Sequence, residues 1–353
     1  MSNESEYIKG RGSQLNTKNK YRKSEYVTDH IEGLDEPLII PDLKTKVTFE
    51  YPKSVVNKSV NADVPALSLN PYQGCEHGCV YCYARNTHQY WGFSAGLDFE
   101  RNIIAKPDAP AILEKTFMKK SWVPAPVFIS GNTDCYQPVE RDLKITRKLL
   151  EVMVKFRHPV SLITKNSLIL RDLDLLKDLA SDNLIHVMLS INSLNEDLRQ
   201  KMEPRTVTGK GRLKVVETLA KNGIPVGVMI GPVIPGLNNT EIPEIVKQSA
   251  LAGARNVNYI LVRLNDSVAD IFSDWIHKTF PDRASKVLGM IKDCHGGTLG
   301  DSRVGVRMTG EGNIAESIRQ LFDISVKKYL PVSADFKFNL AAFKRPQDQL
   351  SLF

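Results

Sequence analysis

Between residues 66 and 264, six short apolar runs alternate with amphipathic ones, and this rhythm constrains the fold more than any other feature of the chain. The runs "ALSLN" (66–70), "PVFIS" (126–130), "VSLITK" (160–165), "LIHVMLSI" (184–191), "IPVGVMIGPVI" (224–234) and "NVNYILVRL" (256–264) read as strands. Their apolar residues are close to continuous, as strands covered on both faces require. Between them, "DLKITRKLLEVMVKF" sets Ile145, Leu149, Val152, Met153 and Phe156 on one helical face. "LRDLDLLKDLA" supplies another helix, and "GRLKVVETLAKNG" a third, closed by Gly223 at the C′ position. A fourth is expected to start near Thr240 as N-cap, with Pro243 in its first turn. Such repetition predicts an α/β fold, a parallel sheet covered by helices. Six units are too few for a closed eight-unit barrel, so a partial (β/α)6 barrel is expected.

Around this core, residues 1–60 form a polar, partly basic N-terminal extension, and 61–265 the barrel domain. Residues 266–343 read as a mostly helical C-terminal region, interrupted by the glycine-rich "HGGTLGDSRVGVRMTGEG" (295–312), and 344–353 as a tail. Apolar residues make up 42 % of the chain and charged ones 25 %, the balance of a soluble protein. The longest apolar run, "IPVGVMIGPVIPG", is too short and too rich in proline and glycine to span a bilayer. The amino terminus has no apolar signal region, so a cytoplasmic location without a membrane partner is expected. Net charge is +7, and residues 9–24 hold six Lys or Arg and no acid. That run suits either contact with nucleic-acid phosphates or a solvated arm.

In parallel α/β folds, chemistry gathers at the carboxyl ends of the strands. The first strand runs directly into "NPYQGCEHGCVYCYAR" (70–85), which holds Cys75, Cys79 and Cys82 in a chain with five cysteines. In a reducing compartment such thiols bind metal or react rather than forming disulfides. Two donor sets are open. Zinc could complete a tetrahedron with Cys135, Cys294 or His77. Alternatively, the compact C-x3-C-x2-C loop, with no second ligand pair, suits an iron–sulfur cubane that leaves one iron open to a small molecule.

The same residues carry a family resemblance. "CEHGCVYC" resembles the signature of radical S-adenosylmethionine (radical SAM) enzymes, placed after the first strand as in that family. The resemblance implies a 4Fe-4S cluster held by Cys75, Cys79 and Cys82, with S-adenosyl-L-methionine chelating the open iron through its amino and carboxylate groups. An electron from the reduced cluster then cleaves the sulfonium, and a 5′-deoxyadenosyl radical takes hydrogen from substrate. The pieces "SGNTDCYQPVE", "ITKNSLILRDLDLL" and "SINSLNEDLRQKMEPRT" resemble the spore photoproduct lyase-related, DNA-repair-photolyase-like group. "GRGS" (10–13) and "HGGTLGDSR" (295–303) are absent from the lyase pattern and suggest a sister subgroup.

Carried over residue by residue, the resemblance sets Tyr81 near the adenine and Gly131, Asn132, Thr133 and Asp134 at the methionine end of the cofactor. Lys165 and Ser190 end strands three and four at positions that touch the cofactor in the lyase; their plainer reading is as solvated strand ends. "VIPGLNN" (233–239) resembles the segment lying against the adenine. Tyr83 and Cys135 are the catalytic candidates. The lyase has a cysteine after strand two that returns hydrogen to the product radical. Laid without gaps, that position is Asn132, and Cys135 falls three residues later. Cys135 is then either a shifted hydrogen donor or an inert buried thiol. Cys294 reads as structural.

Two function classes follow: a radical enzyme acting on nucleic acid in DNA repair, or one acting on a small metabolite, protein or tRNA. A third, a protein that only transfers electrons, is opposed by the open cluster and the polar strand ends. Expected partners are DNA and an electron donor such as flavodoxin or ferredoxin. The tail "QLSLF" (349–353) looks like the peptide by which bacterial repair proteins dock on the polymerase sliding clamp. Leu352 and Phe353 would fill an apolar groove, Leu350 would flank them, and Gln349 would bond at its edge. Its alternative is an apolar end folded back on its own domain.

Overall fold

A computed structural model describes residues 8–22, 44–58, 67–330 and 336–346. Six parallel strands, β1 (Leu67–Leu69), β2 (Val127–Ile129), β3 (Val160–Thr164), β4 (Ile185–Ser190), β5 (Val226–Val233) and β6 (Val257–Leu261), stand in chain order in one sheet. The short strand Val56–Lys58 pairs antiparallel with β1 at the edge. Helices α1 (Ala109–Phe117), α2 (Ile145–Phe156), α3 (Leu173–Ser181), α4 (Gly209–Lys221) and α5 (Ile242–Leu251) fill the five crossovers. Right-handed crossovers between successive neighbours gather all helices on one face, and the sheet curves around the other. This is the partial (β/α)6 barrel expected.

The five α2 residues assigned to one face, Ile145, Leu149, Val152, Met153 and Phe156, are all buried. They pack with Leu69, Val127, Ile129, Val160, Leu162, Val187 and Val228 in the main core. Gly223 follows α4 with φ +75°, the left-handed value its C′ position requires. The start of α5 falls one residue later than expected: Thr240 lies in the 3-10 segment Asn239–Glu241, Glu241 is the N-cap, and the helix opens at Ile242 with Pro243 in its first turn. Helix α1 was not legible as one, although Ala109, Leu113 and Phe117 give it a buried face.

Beyond β6 lie α6 (Ser267–Thr279), α7 (Pro281–Asp293) and α8 (Gly312–Tyr329). Residues 295–311 between the last two hold no regular element, as their glycines suggest. Helices α6 and α7 bury Val268, Phe272, Trp275, Ile276, Val287 and Ile291 in a second core that also contains Cys79, Val80 and Tyr81. The C-terminal helices therefore back the cysteine loop directly. Burying each such side chain is worth about 1.5–3 kcal/mol. Residues 336–346 cross the opposite, amino-terminal ends of the strands. There Asn339 N–H donates to the Asn183 carbonyl at 3.2 Å and Lys344 N–H to the Phe156 carbonyl at 3.0 Å. The tail "QLSLF" lies outside the described residues.

Candidate active site

The cysteine loop starts where β1 ends, and a small sheet absent from the sequence reading sets its direction. The strand Tyr72–Gln73 pairs antiparallel with Asn102–Ala105, whose other edge carries Lys46–Phe49. Cys75 N–H then donates to the Phe99 carbonyl at 2.8 Å and Val80 N–H to the Met202 carbonyl at 3.1 Å. The Gln137 amide spans the loop, donating to the Gly74 carbonyl and accepting from Glu76 N–H, each at 3.0 Å. Cys75 and Cys79 are buried and Cys82 is half-buried; none is in a disulfide. Burial pushes the Cys75 thiol well up and the Cys79 thiol up to about 12. Both keep their protons until a metal displaces them.

The "GRGS" segment lies against this loop. Gly12 sits so close to the Gly78 carbonyl that a Cβ would overlap it. The Gly12 and Ser13 amides donate to the Glu100 carboxylate at 3.1 and 2.8 Å. Glu100 also holds Arg85 at 2.5 Å, with both side chains fully buried. Arg85 in turn donates to the carbonyls of Cys79 and Gly96, each at 2.9 Å. Farther along, Leu97 N–H donates to the Leu15 carbonyl at 3.2 Å, and Lys20 pairs with Asp266 at 2.9 Å. Residues 11–22 are thus a strap bonded to the protein, not a solvated arm; Arg11, Gly12 and Ser13 are buried.

After β2 the chain turns at Ser130 with φ +96°, a value non-glycine residues rarely adopt. Its hydroxyl secures the turn, donating to the Ile163 carbonyl at 3.0 Å and accepting from Cys135 N–H at 3.2 Å. Asp134 accepts from the Thr164 hydroxyl at 2.7 Å, Tyr136 N–H at 2.9 Å and Lys165 N–H at 2.8 Å, and lies 3.3 Å from His77 Nδ1. Burial would raise this carboxyl, but His77 and the donors outweigh it and hold Asp134 at about 2. Asp134 therefore braces the cysteine loop against the ends of β2 and β3. Asn132 N–H donates to Asn70 Oδ1 at 3.0 Å, and the buried Thr133 hydroxyl donates to the Tyr72 carbonyl at 3.2 Å.

The two catalytic candidates part company. Tyr83 is half exposed at the strand-end rim, its hydroxyl donating to the Gly131 carbonyl and its ring 5.5 Å from the Arg263 guanidinium. Cys135 has no exposure and belongs to the main core, and burial pushes its thiol well up.

Tyr81, Lys165 and Ser190 are brought together by a buried ionic cluster. Glu203 accepts from the Tyr81 hydroxyl and the Arg212 guanidinium, and Lys165 Nζ lies 4.0 Å away. Arg212 also donates to the Ser190 carbonyl at 2.8 Å. Asn192 donates to the Tyr81 hydroxyl at 3.1 Å, and Asn238 donates to the carbonyls of Asn192 and Pro232 at 2.7 and 3.0 Å. Burial pulls the Lys165 ammonium down, but the Cys79 sulfur once ionised, and Glu203, outweigh it and favour the charged form beside the loop. Burial likewise opposes the Glu203 carboxylate, and Arg212 and Lys165 keep it ionised. The Tyr81 hydroxyl is thus engaged behind the loop, and its ring is what remains for packing. Sequence reasoning missed Glu203, Arg212, Asn192, Asn238, Arg85 and Glu100. Glu203, Asn192, Arg85 and Asn238 lie in the stretches "MEPRT", "SINS", "NPYQGCEHGCVYCYAR" and "VIPGLNN", whereas nothing in the sequence marked Arg212 or Glu100.

The donor set fits a three-thiolate cluster better than zinc. His77 has both ring nitrogens engaged, by Asp134 at 3.3 Å and Asn166 at 3.4 Å. Cys135 and Cys294 lie in the main core. Among the described residues, no three His, Cys, Asp or Glu side chains converge on a single-ion site. A cubane spreads its thiolates over separate irons, so it needs no such convergence. No helix among the described residues is long and apolar enough to cross a membrane.

Comparison with known proteins agrees with this geometry. The family model of the Radical SAM superfamily matches residues 69–248. A Mycobacterium tuberculosis protein is 30 % identical over 238 residues, 66 % of this chain and 70 % of its own. A protein of Acidianus two-tailed virus is 29 % identical over 251 residues, 69 % of this chain and 75 % of its own. Both relatives are uncharacterized. Spore photoproduct lyase with bound AdoMet and dinucleoside spore photoproduct superposes with a TM-score of 0.61 at 16 % identity, covering 83 % of this chain and 81 % of the lyase. A second lyase structure, complexed with dinucleoside spore photoproduct, gives 0.60 at 16 % identity over 83 % and 82 % of the two chains. At this identity the likeness is one of fold.

Proposed function

The chain belongs to the Radical SAM superfamily, and from that premise we propose that it acts on nucleic acid in DNA repair, with Cys75, Cys79 and Cys82 holding the cluster. The family's cofactors are a 4Fe-4S cluster and S-adenosyl-L-methionine. When bound, they supply a 5′-deoxyadenosyl radical that takes hydrogen from substrate. The observation that carries this reading is three unpaired thiols in one loop at the carboxyl ends of six parallel strands. The surrounding side chains keep that loop in one geometry. Asp134 and the Arg85–Glu100 pair brace it, Lys165 places a fixed positive charge beside it, and the Tyr81 ring is held by Glu203 for packing against the cofactor. Tyr83 and Arg263 stand at the rim where substrate arrives.

Two facts favour a nucleic-acid substrate. The fold is that of a lyase solved with a dinucleoside photoproduct. The tail "QLSLF" has the form of a sliding-clamp peptide, which we assign as the docking element. Five cysteines without a disulfide suit the cytoplasm, and a flavodoxin- or ferredoxin-type donor would supply the electron. The test is anaerobic: reduced, cluster-reconstituted protein is given S-adenosyl-L-methionine with ultraviolet-damaged or undamaged DNA. Release of 5′-deoxyadenosine, with hydrogen transfer into damaged DNA, is expected. No release removes the radical reading. Release without transfer to any DNA moves the substrate to a metabolite, protein or tRNA.

A further inference from the structure

We propose that Tyr21 and Tyr90 form a stacking platform for an unpaired nucleobase, holding a single strand beside the mouth of the barrel; the inference rests on the nucleic-acid reading above. The two rings stack with centroids 4.8 Å apart and planes 25° from parallel. Tyr21 is 50 % exposed and Tyr90 72 %, so Tyr21 covers one face of the Tyr90 ring and the other stands open to solvent. In every other ring pair among the described residues, at least one ring is less exposed than either of these. The rings are also held in place. Asn19 donates to the carbonyls of Gln89 and Phe93, each at 2.9 Å, and its Oδ1 accepts from Tyr21 N–H at 2.9 Å. Lys20 N–H donates to Gln89 Oε1 at 3.2 Å, and Gln89 Nε2 donates to the Ser267 hydroxyl at 2.9 Å. The strap end that carries Tyr21 is thereby fastened to the residue just before Tyr90.

Rings left this open to water add little to folding, because the hydrophobic gain comes only from area removed from water. What they offer is a flat face ordered in advance, on which a base stacks without a further ordering cost. Lys20 lies over the Tyr21 ring, 5.4 Å from its centroid, and is paired with Asp266. Its charge is therefore answered, and the ring face, not a charge excess, selects the ligand. Arg22, with its guanidinium over Gly92, brings a positive charge beside the rings where a strand's backbone would run. The platform is continuous with the mouth. Tyr90 belongs to the same 3-10 segment, Tyr83–Trp91, that Tyr83 opens at the strand-end rim. At about 2 Å per residue, Tyr90 stands about 14 Å from Tyr83 along that segment. This is the span of about four stacked nucleotides at about 3.4 Å each. A strand with one base on Tyr90 therefore reaches the rim within its next few nucleotides. The base must be unpaired, since inside a duplex both of its faces are already stacked.

The test titrates a labelled thymidine strand of about ten nucleotides with the full-length, cluster-reconstituted protein, by anisotropy without oxygen. Tyr21→Ala, Tyr90→Ala and Tyr90→Phe change exposed rings and should move the melting temperature by no more than about 2 °C. Tyr90→Ala should weaken binding about five- to 150-fold, and Tyr90→Phe, which keeps the ring, by less than about threefold. Neither removes a charge, so the salt dependence should stay as in the wild type, whereas Arg22→Gln should reduce its log–log slope by about 0.7. A strand of abasic residues should bind the wild type as weakly as the thymidine strand binds Tyr90→Ala. Equal binding by Tyr90→Ala and wild type, equal binding of the abasic strand, or no binding of the thymidine strand overturns the proposal. Hydrogen transfer into damaged DNA is read separately on the wild-type protein, so failure of the platform and failure of the nucleic-acid reading are distinct results.

Discussion

Replacing Glu100 with Gln tests whether the strap and the cysteine loop form one mechanical unit. The Glu100 side chain is fully buried; Oε1 accepts from Arg85 and Ser13 N–H, and Oε2 from Gly12 N–H. Glutamine preserves the shape but offers one acceptor oxygen, so its amide would meet Gly12 N–H donor to donor. Arg85 would remain a buried guanidinium without its counter-charge, a change that costs about 3–5 kcal/mol. The Gly12 amide adds little, since the strap can lift and let water reach it. Unfolding entropy of about 2.1 cal/mol/K per residue gives about 0.7 kcal/mol per degree for a chain of this length, so the melting temperature should fall by about 4–7 °C. Calorimetry measures that fall, and hydrogen exchange locates it. Residues 11–22 should exchange faster, while 336–346, at the opposite end of the barrel, should not. A shift within about 1 °C together with unchanged exchange in the strap would refute the reasoning.

Cys75→Ala, Cys79→Ala and Cys82→Ala should each abolish the brown cluster absorbance and 5′-deoxyadenosine release, because two thiolates cannot hold a cubane with an open iron; stoichiometric zinc without iron or sulfide in protein purified anaerobically would contradict this. Cys135→Ala should leave cofactor cleavage intact, and an unchanged product distribution would mark the thiol as packing in the core where it lies. His158 receives the Trp122 indole N–H at 3.2 Å and faces the Pro159 carbonyl at 3.0 Å, and burial pulls it down to about 4 from the ordinary imidazole value of about 6.5. The unfolded chain therefore takes up the proton first, and about 3 kcal/mol of stability should be lost as pH falls from about 6.5 to about 4; urea midpoints of His158→Phe should show a weaker loss, and parallel curves would disprove it. A peptide of residues 344–353 should bind the sliding clamp saturably and lose binding when Leu352 and Phe353 become Ala; absence of binding well above micromolar concentration would remove the docking assignment.

The barrel was legible because its signals are local. Continuous apolar runs mark β3, β4 and β5, the spacing of Ile145, Leu149, Val152 and Phe156 marks α2, and Gly223 marks the end of α4; each needs only a few adjacent residues to be read. The cysteine spacing is equally local, and its place after β1 followed from the strand order. What held the loop in place was not legible. Gly12 and Ser13 meet Glu100 across almost ninety positions, and Tyr81 meets Glu203 across more than a hundred. In the sequence, Arg85, Glu100, Glu203 and Arg212 look like ordinary surface charges, because a charged residue is buried only when distant partners neutralise it. Asp134 shows the same limit: the sequence marks a carboxylate at the end of β2, but Thr164, Lys165 and His77 decide that it braces the loop. Periodicity carries the elements and the ligands, whereas the pairing of buried charges is a long-range balance that exists only once the chain has closed on itself.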